Sequence, residues 1–462
     1  MRTLATVGAA YAIALTARAQ DPSRPPETEW LTAAREVAHW LDSVEVGTEA
    51  GLCWPVVPGE DPRVLDRNLY SGSCGTVLFM LEMSTSTGEE RYLDKAIAGV
   101  DDIVAFTVAE GEAIDCGLWT GLAGRATTVL AMAKVTRRAA DRVLAMGVGA
   151  RLMPAARTPD GSDWHPGDRC IAWGDSTDII SGSAGIGCFL LADAEVTRPR
   201  GGPHLATAVG RTLLGRAIEV ESAPGERMLK WNMTDAFPRL MPNFSHGTAG
   251  VSYFLARLAE TLGPEEGRPF LDAALAGARY LESITETETC LVMHHEPEGE
   301  DLFYIGWCHG PTGTARLYRQ LAIVTGDDAW NDKVKAAANS LVSMNLAENR
   351  TPGFWNTVGQ CCGSAGVASF LLSASEAYDE PSYREAADAI IADILERATI
   401  HALPNGTRGR SWMQAEHRLQ PEFLQAQTGH MQGASGIGLL LLHRHAIETG
   451  STTTVRLPDS PW

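Results

Sequence analysis

Cys308, Cys361 and Cys362 are soft sulfur donors that share a local pattern with two histidines, His246 and His309. Each lies one or two residues before a Gly-x-x-Gly tetrad, the tetrads beginning at Gly247, Gly310 and Gly363. Thiolate and imidazole are donors that zinc prefers. Structural zinc takes four protein ligands, whereas catalytic zinc takes three and keeps one position open. Three cysteines from two adjacent segments fit the open pattern, with His309 or His246 close by. Thiolates at helix N-termini also gain from the helix dipole, which favours metal binding at neutral pH. Spacing alone leaves two other readings open: a strained vicinal Cys361–Cys362 disulfide, or a disulfide from Cys308 to either one.

The tetrad itself recurs seven times, beginning at Gly72, Gly121, Gly182, Gly247, Gly310, Gly363 and Gly433. One Gly-x-x-Gly means nothing; seven in order, each opening an apolar stretch, mark an internal repeat. The residues preceding them, in register, are Tyr70-Ser71, Trp119-Thr120, Ile180-Ser181, Ser245-His246, Cys308-His309, Cys361-Cys362 and Met431-Gln432. Ser and Thr in the first three repeats are ordinary helix caps. Capping does not account for His, His and Cys in repeats four to six, nor for the added cysteines. Chemistry is concentrated on one arc.

The elements that must hold that arc are helices. After Gly366, Val367, Phe370, Leu371, Ala374 and Tyr378 follow helical spacing, and a second stripe runs from Ala387 through Ile390, Ile391 and Ile394 to Ala398. Asp327 can cap a helix whose apolar face is Trp330, Val334, Ala337, Ala338 and Leu341. Strand-like alternation is scarce. The helix after each tetrad is apolar all round, as in Gly436 to Leu442, and its successor is amphipathic, as in Ser382 to Arg397. The pattern predicts an all-α fold, an α/α toroid of seven inner and seven outer helices, with all inner N-termini at one end.

Four segments resemble the lanthionine synthetase C-like cyclases. Trp307-Cys308-His309-Gly310-Pro311-Thr312-Gly313 looks like the family's Trp-Cys-His/Tyr-Gly-x-x-Gly motif. Cys361-Cys362-Gly363-Ser364-Ala365-Gly366 is similar to its second zinc motif, usually Cys-His-Gly. Asp178 to Gly185 resembles the Asp-bearing segment, and Ser245 to Gly250 the His-Gly segment. The likeness spans essentially the whole mature chain. It implies a double helical ring, Zn2+ held by Cys308, Cys361 and Cys362, and a thiol-bearing peptide or small thiol as partner. A substrate thiolate then adds to a dehydroamino acid to give a thioether, with His246 and Asp178 at the positions proposed for proton transfer. His309 stands where the family has Tyr or His. Cys362 replaces the usual His ligand, as in a subset of the family, and Tyr304 stands where well-studied cyclases carry Arg.

Composition limits the alternatives. The 462-residue chain carries a formal charge of −19 and no Lys/Arg cluster, which excludes nucleic acid as a natural partner. Arg2, an apolar run from Leu4 to Leu15 and Ala17-Arg18-Ala19 predict a secretory signal over residues 1–19 and hence export. That run is too short to span a bilayer. A linker over 20–29, the ring domain over 30–450 and a tail over 451–462 complete the expected organisation, as a monomer. Export makes disulfides among Cys53, Cys74, Cys116, Cys170, Cys188 and Cys290 conceivable, with buried free thiols the plainer reading. Trp119, Trp173, Trp307 and Trp355 are expected as packing anchors rather than stacking platforms, His294-His295-Glu296 as a solvated loop, and His430 as a weak candidate for the cavity. Helical toroids also host glycosidases and lyases, but these need paired carboxylates, and only Asp175 and Asp178 stand near the expected mouth. A thiol binder without turnover needs the same open zinc position.

Overall fold

The computed structural model describes residues 26–60, 63–110, 115–197, 202–221, 226–237, 239–349, 357–415 and 420–462. The expected signal over 1–19, most of the linker and Trp355 lie outside these residues. Among them are fourteen α-helices. The first, α1 (Glu29–Val44), is followed by six pairs: α2 (Ser73–Thr87) and α3 (Glu90–Ala109), α4 (Leu122–Thr136) and α5 (Ala139–Ala150), α6 (Ser183–Thr197) and α7 (Gly202–Gly215), α8 (Thr248–Glu266) and α9 (Arg268–Ile284), α10 (Pro311–Thr325) and α11 (Asp328–Ser343), α12 (Ser364–Tyr378) and α13 (Pro381–Glu396). The chain of helices ends with α14 (Ala434–Thr449).

Each even-numbered helix packs against the next even one, and α14 packs against α2, closing an inner ring of seven. Each odd-numbered helix backs one inner helix. Six repeats supply inner and outer helices in that order. The seventh differs: its inner helix α14 is backed by α1 from the other end of the domain. Thr28, the N-cap of α1, places its Oγ1 2.9 Å from His445 Nδ1 of α14, and Trp30 Nε1 donates to Glu448 at 2.8 Å. Burial follows the two-layer pattern. α2 is buried without a break from Ser73 to Met83, whereas α9 buries one stripe through Phe270, Ala273, Ala274, Gly277, Ala278 and Leu281.

The glycines bring each loop down onto its own helix. A Cβ on Gly313 would sit 2.0 Å from the Trp307 carbonyl oxygen, so only glycine lets the loop carrying Trp307 and Cys308 lie across the start of α10. These seven loops are joined by a closed circle of backbone hydrogen bonds. Tyr70 N donates to Trp119 O, Trp119 N to Ile180 O, Ile179 N to Ser245 O, Ser245 N to Cys308 O, Cys308 N to Cys361 O, Cys361 N to Met431 O, and Met431 N to Tyr70 O, at 2.8–3.2 Å. The circle ties the residues that precede the tetrads into one girdle at the N-terminal end of the inner ring.

The tail fills the bore from the other end. Glu82 accepts from the Thr454 and Val455 amides at 2.9 and 2.7 Å, Arg257 donates to Pro458 O at 2.6 Å, and Arg316 to Asp459 O at 2.9 Å. Asp459 is fully buried. Between the tail and α10, α12 and α14 lies a cavity of ≈ 440 Å³ reaching up to Gln360 and His430. No helix among the described residues is long and apolar enough to cross a membrane.

Candidate metal centre

Cys308 and Cys361 are consecutive links of the girdle, and Cys362 follows immediately, so the fold brings three sulfurs together. All three residues are buried, and their Sγ atoms lie within 4.8 Å of one another. Cys308 Sγ is 2.8 Å from Cys362 Sγ, and Cys362 Sγ is 3.4 Å from Cys361 Sγ. A disulfide would need about 2.05 Å. All nine cysteines are free thiols, so neither bridge considered from the sequence forms. Three sulfurs around a tetrahedral zinc, each at about 2.3 Å, stand roughly 3.8 Å apart, wider than the two short separations here and inside the 4.8 Å within which all three lie. A buried cluster of three soft donors at the starts of α10 and α12 fits zinc in its chemistry. Elsewhere cysteines pack as apolar groups; burial pushes the Cys74 and Cys188 thiols up to about 12.

Within the trio the protons are unevenly held. Hydrogen bonds from Cys308 and Cys362, reinforced by Tyr70 and His246 against the effect of burial, bring Cys361 well below the usual thiol range. Burial and the neighbouring Cys361 push Cys308 and Cys362 well above it.

His246 and Asp178, paired by the family resemblance in their implied role, meet in the structure. His246 Nδ1 and Asp178 Oδ2 are 2.6 Å apart, the carboxylate fully buried and the imidazole 29% exposed at its side chain. Asp178 Oδ1 is taken up by the Ser181 amide at 2.9 Å and by the Ser176 and Ser181 hydroxyls at 3.2 Å. Asp178 therefore caps its own loop and orients His246, leaving His246 Nε2 for other partners. Burial works against charge on His246, but the Asp178 hydrogen bond and charge, with Cys361 behind, outweigh it and raise its pKa.

His309 is neutral by construction. Burial pushes its pKa well down, and His294, His246 and His295 add to the effect. Its ring lies parallel to His294, centroids 4.0 Å apart, and 5.8 Å from His246. The expectation of a solvated loop for His294-His295-Glu296 is corrected here. Met293–His295 pairs with Gly299–Phe303 as a hairpin with a register shift between Met293 and His295, and the two imidazoles meet, Nδ1 to Nδ1, at 2.8 Å. His294 lands against His309 and Tyr304, and His295 is buried beneath Gly299. The HisHis pair between strand residues and before Pro297 and Gly299 was the available signal.

Tyr70 is the other residue that sequence reasoning passed over, because Ser71 beside it explained the position as a cap. It occupies in repeat one the place of Cys308 and Cys361, its hydroxyl accepts from Gln432 Nε2 at 3.1 Å, and one girdle link, Met431, separates it from Cys361. Trp119, Trp173 and Trp307 are buried anchors, Trp119 packing edge-on against Trp307 at 5.4 Å. His430 lines the bore below the site; burial, with Arg316 near, pushes it down to about 4. Asp175 is exposed and does not join Asp178 as a second buried carboxylate.

The family model described as "Lanthionine synthetase C-like protein" matches residues 63–452, more than four-fifths of the chain. The chain belongs to the lanthionine synthetase C-like family. Among solved structures, this LanC-like chain is similar to nisin cyclase, at 17% identity and a TM-score of 0.57, over 85% of this chain and 91% of that one. It is also similar, at 13% identity and a TM-score of 0.47, to an inactive variant of an alpha-1,6-mannanase of Salegentibacter sp. HEL1_6 in complex with alpha-1,6-mannotetrose, over 91% of this chain and 99% of that one. No curated protein matches the LanC-like chain in sequence.

Proposed function

We propose that this LanC-like protein binds zinc through Cys308, Cys361 and Cys362 and adds a peptide cysteine thiol to a dehydroalanine or dehydrobutyrine, closing a thioether ring. The observation that carries the reading is the convergence of three buried thiols with the Asp178–His246 pair on one girdle. Zinc, when bound, lowers the pKa of a substrate thiol so that it reacts as thiolate at neutral pH. The chain's own side chains do the rest. His246, its Nδ1 held by Asp178, takes the thiol proton at Nε2 and returns it to the substrate α-carbon. A C–S bond forms, the C=C π bond is lost, and no co-reactant is consumed. His309, neutral and with a buried Nδ1 lacking a protein partner, is suited to bond the substrate carbonyl on which charge develops. The hairpin bearing His294 keeps water from that side.

Ring closure leaves mass unchanged but removes a free thiol. Incubation of zinc-loaded protein with a dehydrated, cysteine-bearing peptide is expected to protect that peptide from alkylation by N-ethylmaleimide. Cys362→Ala is expected to lose both zinc and protection. A zinc-loaded protein that leaves the thiol alkylatable across a panel of such peptides would contradict the thioether chemistry and favour simple thiol binding. Export, inferred from residues 1–19, is tested by N-terminal sequencing of secreted protein, with a start at Gln20 expected.

A further inference from the structure

Cys308 Sγ and Cys362 Sγ stand 2.8 Å apart, and both belong to buried, reduced residues. Closing that gap to a disulfide of about 2.05 Å takes side-chain movement of about 0.8 Å. The backbones already meet. Cys308 N donates to Cys361 O at 3.1 Å, and a Cβ on Gly306 would lie 2.7 Å from Cys362 Cα. Ser245 N donates to Cys308 O and Cys361 N to Met431 O, which holds both loops in that contact. Cys361 Sγ is the poorer partner for Cys362, at 3.4 Å, because a bridge between adjacent residues closes a small strained ring through their shared peptide bond.

Metal and bridge exclude each other on these sulfurs. A tetrahedral zinc spreads its sulfur ligands to roughly 3.8 Å, whereas a disulfide draws them to about 2.05 Å. A bridged pair has also lost the thiolates that bind metal, which leaves Cys361 as a single donor. A histidine in place of Cys362 could ligate zinc but form no such bridge, so the third cysteine adds a chemistry that the metal does not require. The proposed reaction brings a substrate thiol to this centre, and a small disulfide reaches Cys308 and Cys362 by the same approach.

We propose that the metal-free site is redox-sensitive: a low-molecular-weight disulfide oxidises Cys308 and Cys362 to an intramolecular disulfide that blocks zinc uptake, and bound zinc prevents the oxidation. In the exchange, one protein thiolate attacks the small disulfide and releases one thiol. The second protein thiol then displaces the other half, so the S–S bond of the oxidant breaks as the Cys308–Cys362 bond forms. Two protein S–H groups are lost, and two small thiols leave carrying those protons. A dithiol reductant reverses the exchange and restores the site. The regulation rests on the zinc reading, whereas the pairing of the two thiols does not.

The test treats reduced, metal-free protein with bis(2-hydroxyethyl) disulfide and then removes the reagent. Intact mass is expected to fall by two hydrogens, and peptide mapping to join Cys308 to Cys362. Zinc uptake, read with a chromogenic zinc indicator, is expected to fall to near zero and to return after dithiothreitol. Zinc-loaded protein under the same treatment should keep both thiols. Cys361→Ser should still bridge, Cys362→Ser should not, and Cys362→His should take up zinc equally before and after treatment. Wild-type protein that keeps Cys308 and Cys362 free, or that bridges and still takes up zinc in full, would overturn the proposal. A reduced wild type that bridges but never binds zinc would overturn the zinc reading and the regulation with it, leaving only the pairing.

Discussion

Asp178 gives one carboxylate oxygen to its own loop and the other to His246, so the pair behaves as a single device for holding a proton. The raised pKa of His246 has two consequences of defined sign. The Asp178–His246 bond adds stability below the unfolded histidine value of about 6.5, and that stability is lost as pH rises through the higher folded value. Asp178→Asn is therefore expected to destabilise the protein more at pH 5.5 than at pH 8.5, read from melting temperatures. A base with a raised pKa also reaches its working form late, so Asp178→Asn should shift the acid limb of the rate profile to lower pH, with a lower maximum. An unshifted limb would remove His246 from the proton transfer. Cys308, Cys361, Cys362 and His246 were legible in the sequence because repetition supplied an internal standard, in which capping residues were expected and these were not caps; Asp178 was legible only through the family resemblance. Tyr70 was not legible, because circular closure sets repeat one a single girdle link away from Cys361, 291 positions later in the chain (361 − 70), a juxtaposition no local pattern encodes.

At the scale of elements, the tetrad glycines decide how closely a loop approaches its helix. Gly313→Ala would place a Cβ 2.0 Å from Trp307 O and 2.7 Å from Phe244 Cβ, both rigid neighbours next to Cys308. A cost of roughly 1–3 kcal/mol is expected for that clash, with weakened metal binding because the Cys308 loop must lift. Gly147, in the exposed face of α5 with nothing within 4 Å, supplies the opposite sign. Gly147→Ala should stabilise by about 0.5–1 kcal/mol. Equal effects from the two substitutions, measured by chemical denaturation, would contradict the packing described for the tetrads. Inner and outer helices were readable from periodicity, since a helix apolar all round must be enclosed. The His294 hairpin was hidden for the reason that short two-stranded pairs are: three residues in a charged stretch look like a loop until a partner strand and a packed ring define their place.

The whole molecule is held closed at two places far apart in sequence. α1 completes the seventh repeat beside α14, and the tail enters the bore to meet Glu82, Arg257, Arg316 and Arg319. The sequence pattern suggested seven successive helix pairs; circular closure lets the first helix serve the last repeat, an outcome that local periodicity does not distinguish from a missing outer helix. Removing residues 451–462 uncovers Phe370 and Leu439 and strips partners from buried charges, so a fall in melting temperature of about 5 °C or more is expected. An unchanged melting temperature would make the tail an ornament. The girdle that aligns the three sulfurs runs through all seven repeats, so the proposed metal site depends on this closed ring. The most direct measurement is the metal content of the reduced, purified protein. One zinc per chain is expected, falling to near zero in both Cys308→Ala and Cys362→Ala while the fold persists. Reduced wild-type protein that neither contains zinc nor takes it up when supplied would contradict the metal centre outright.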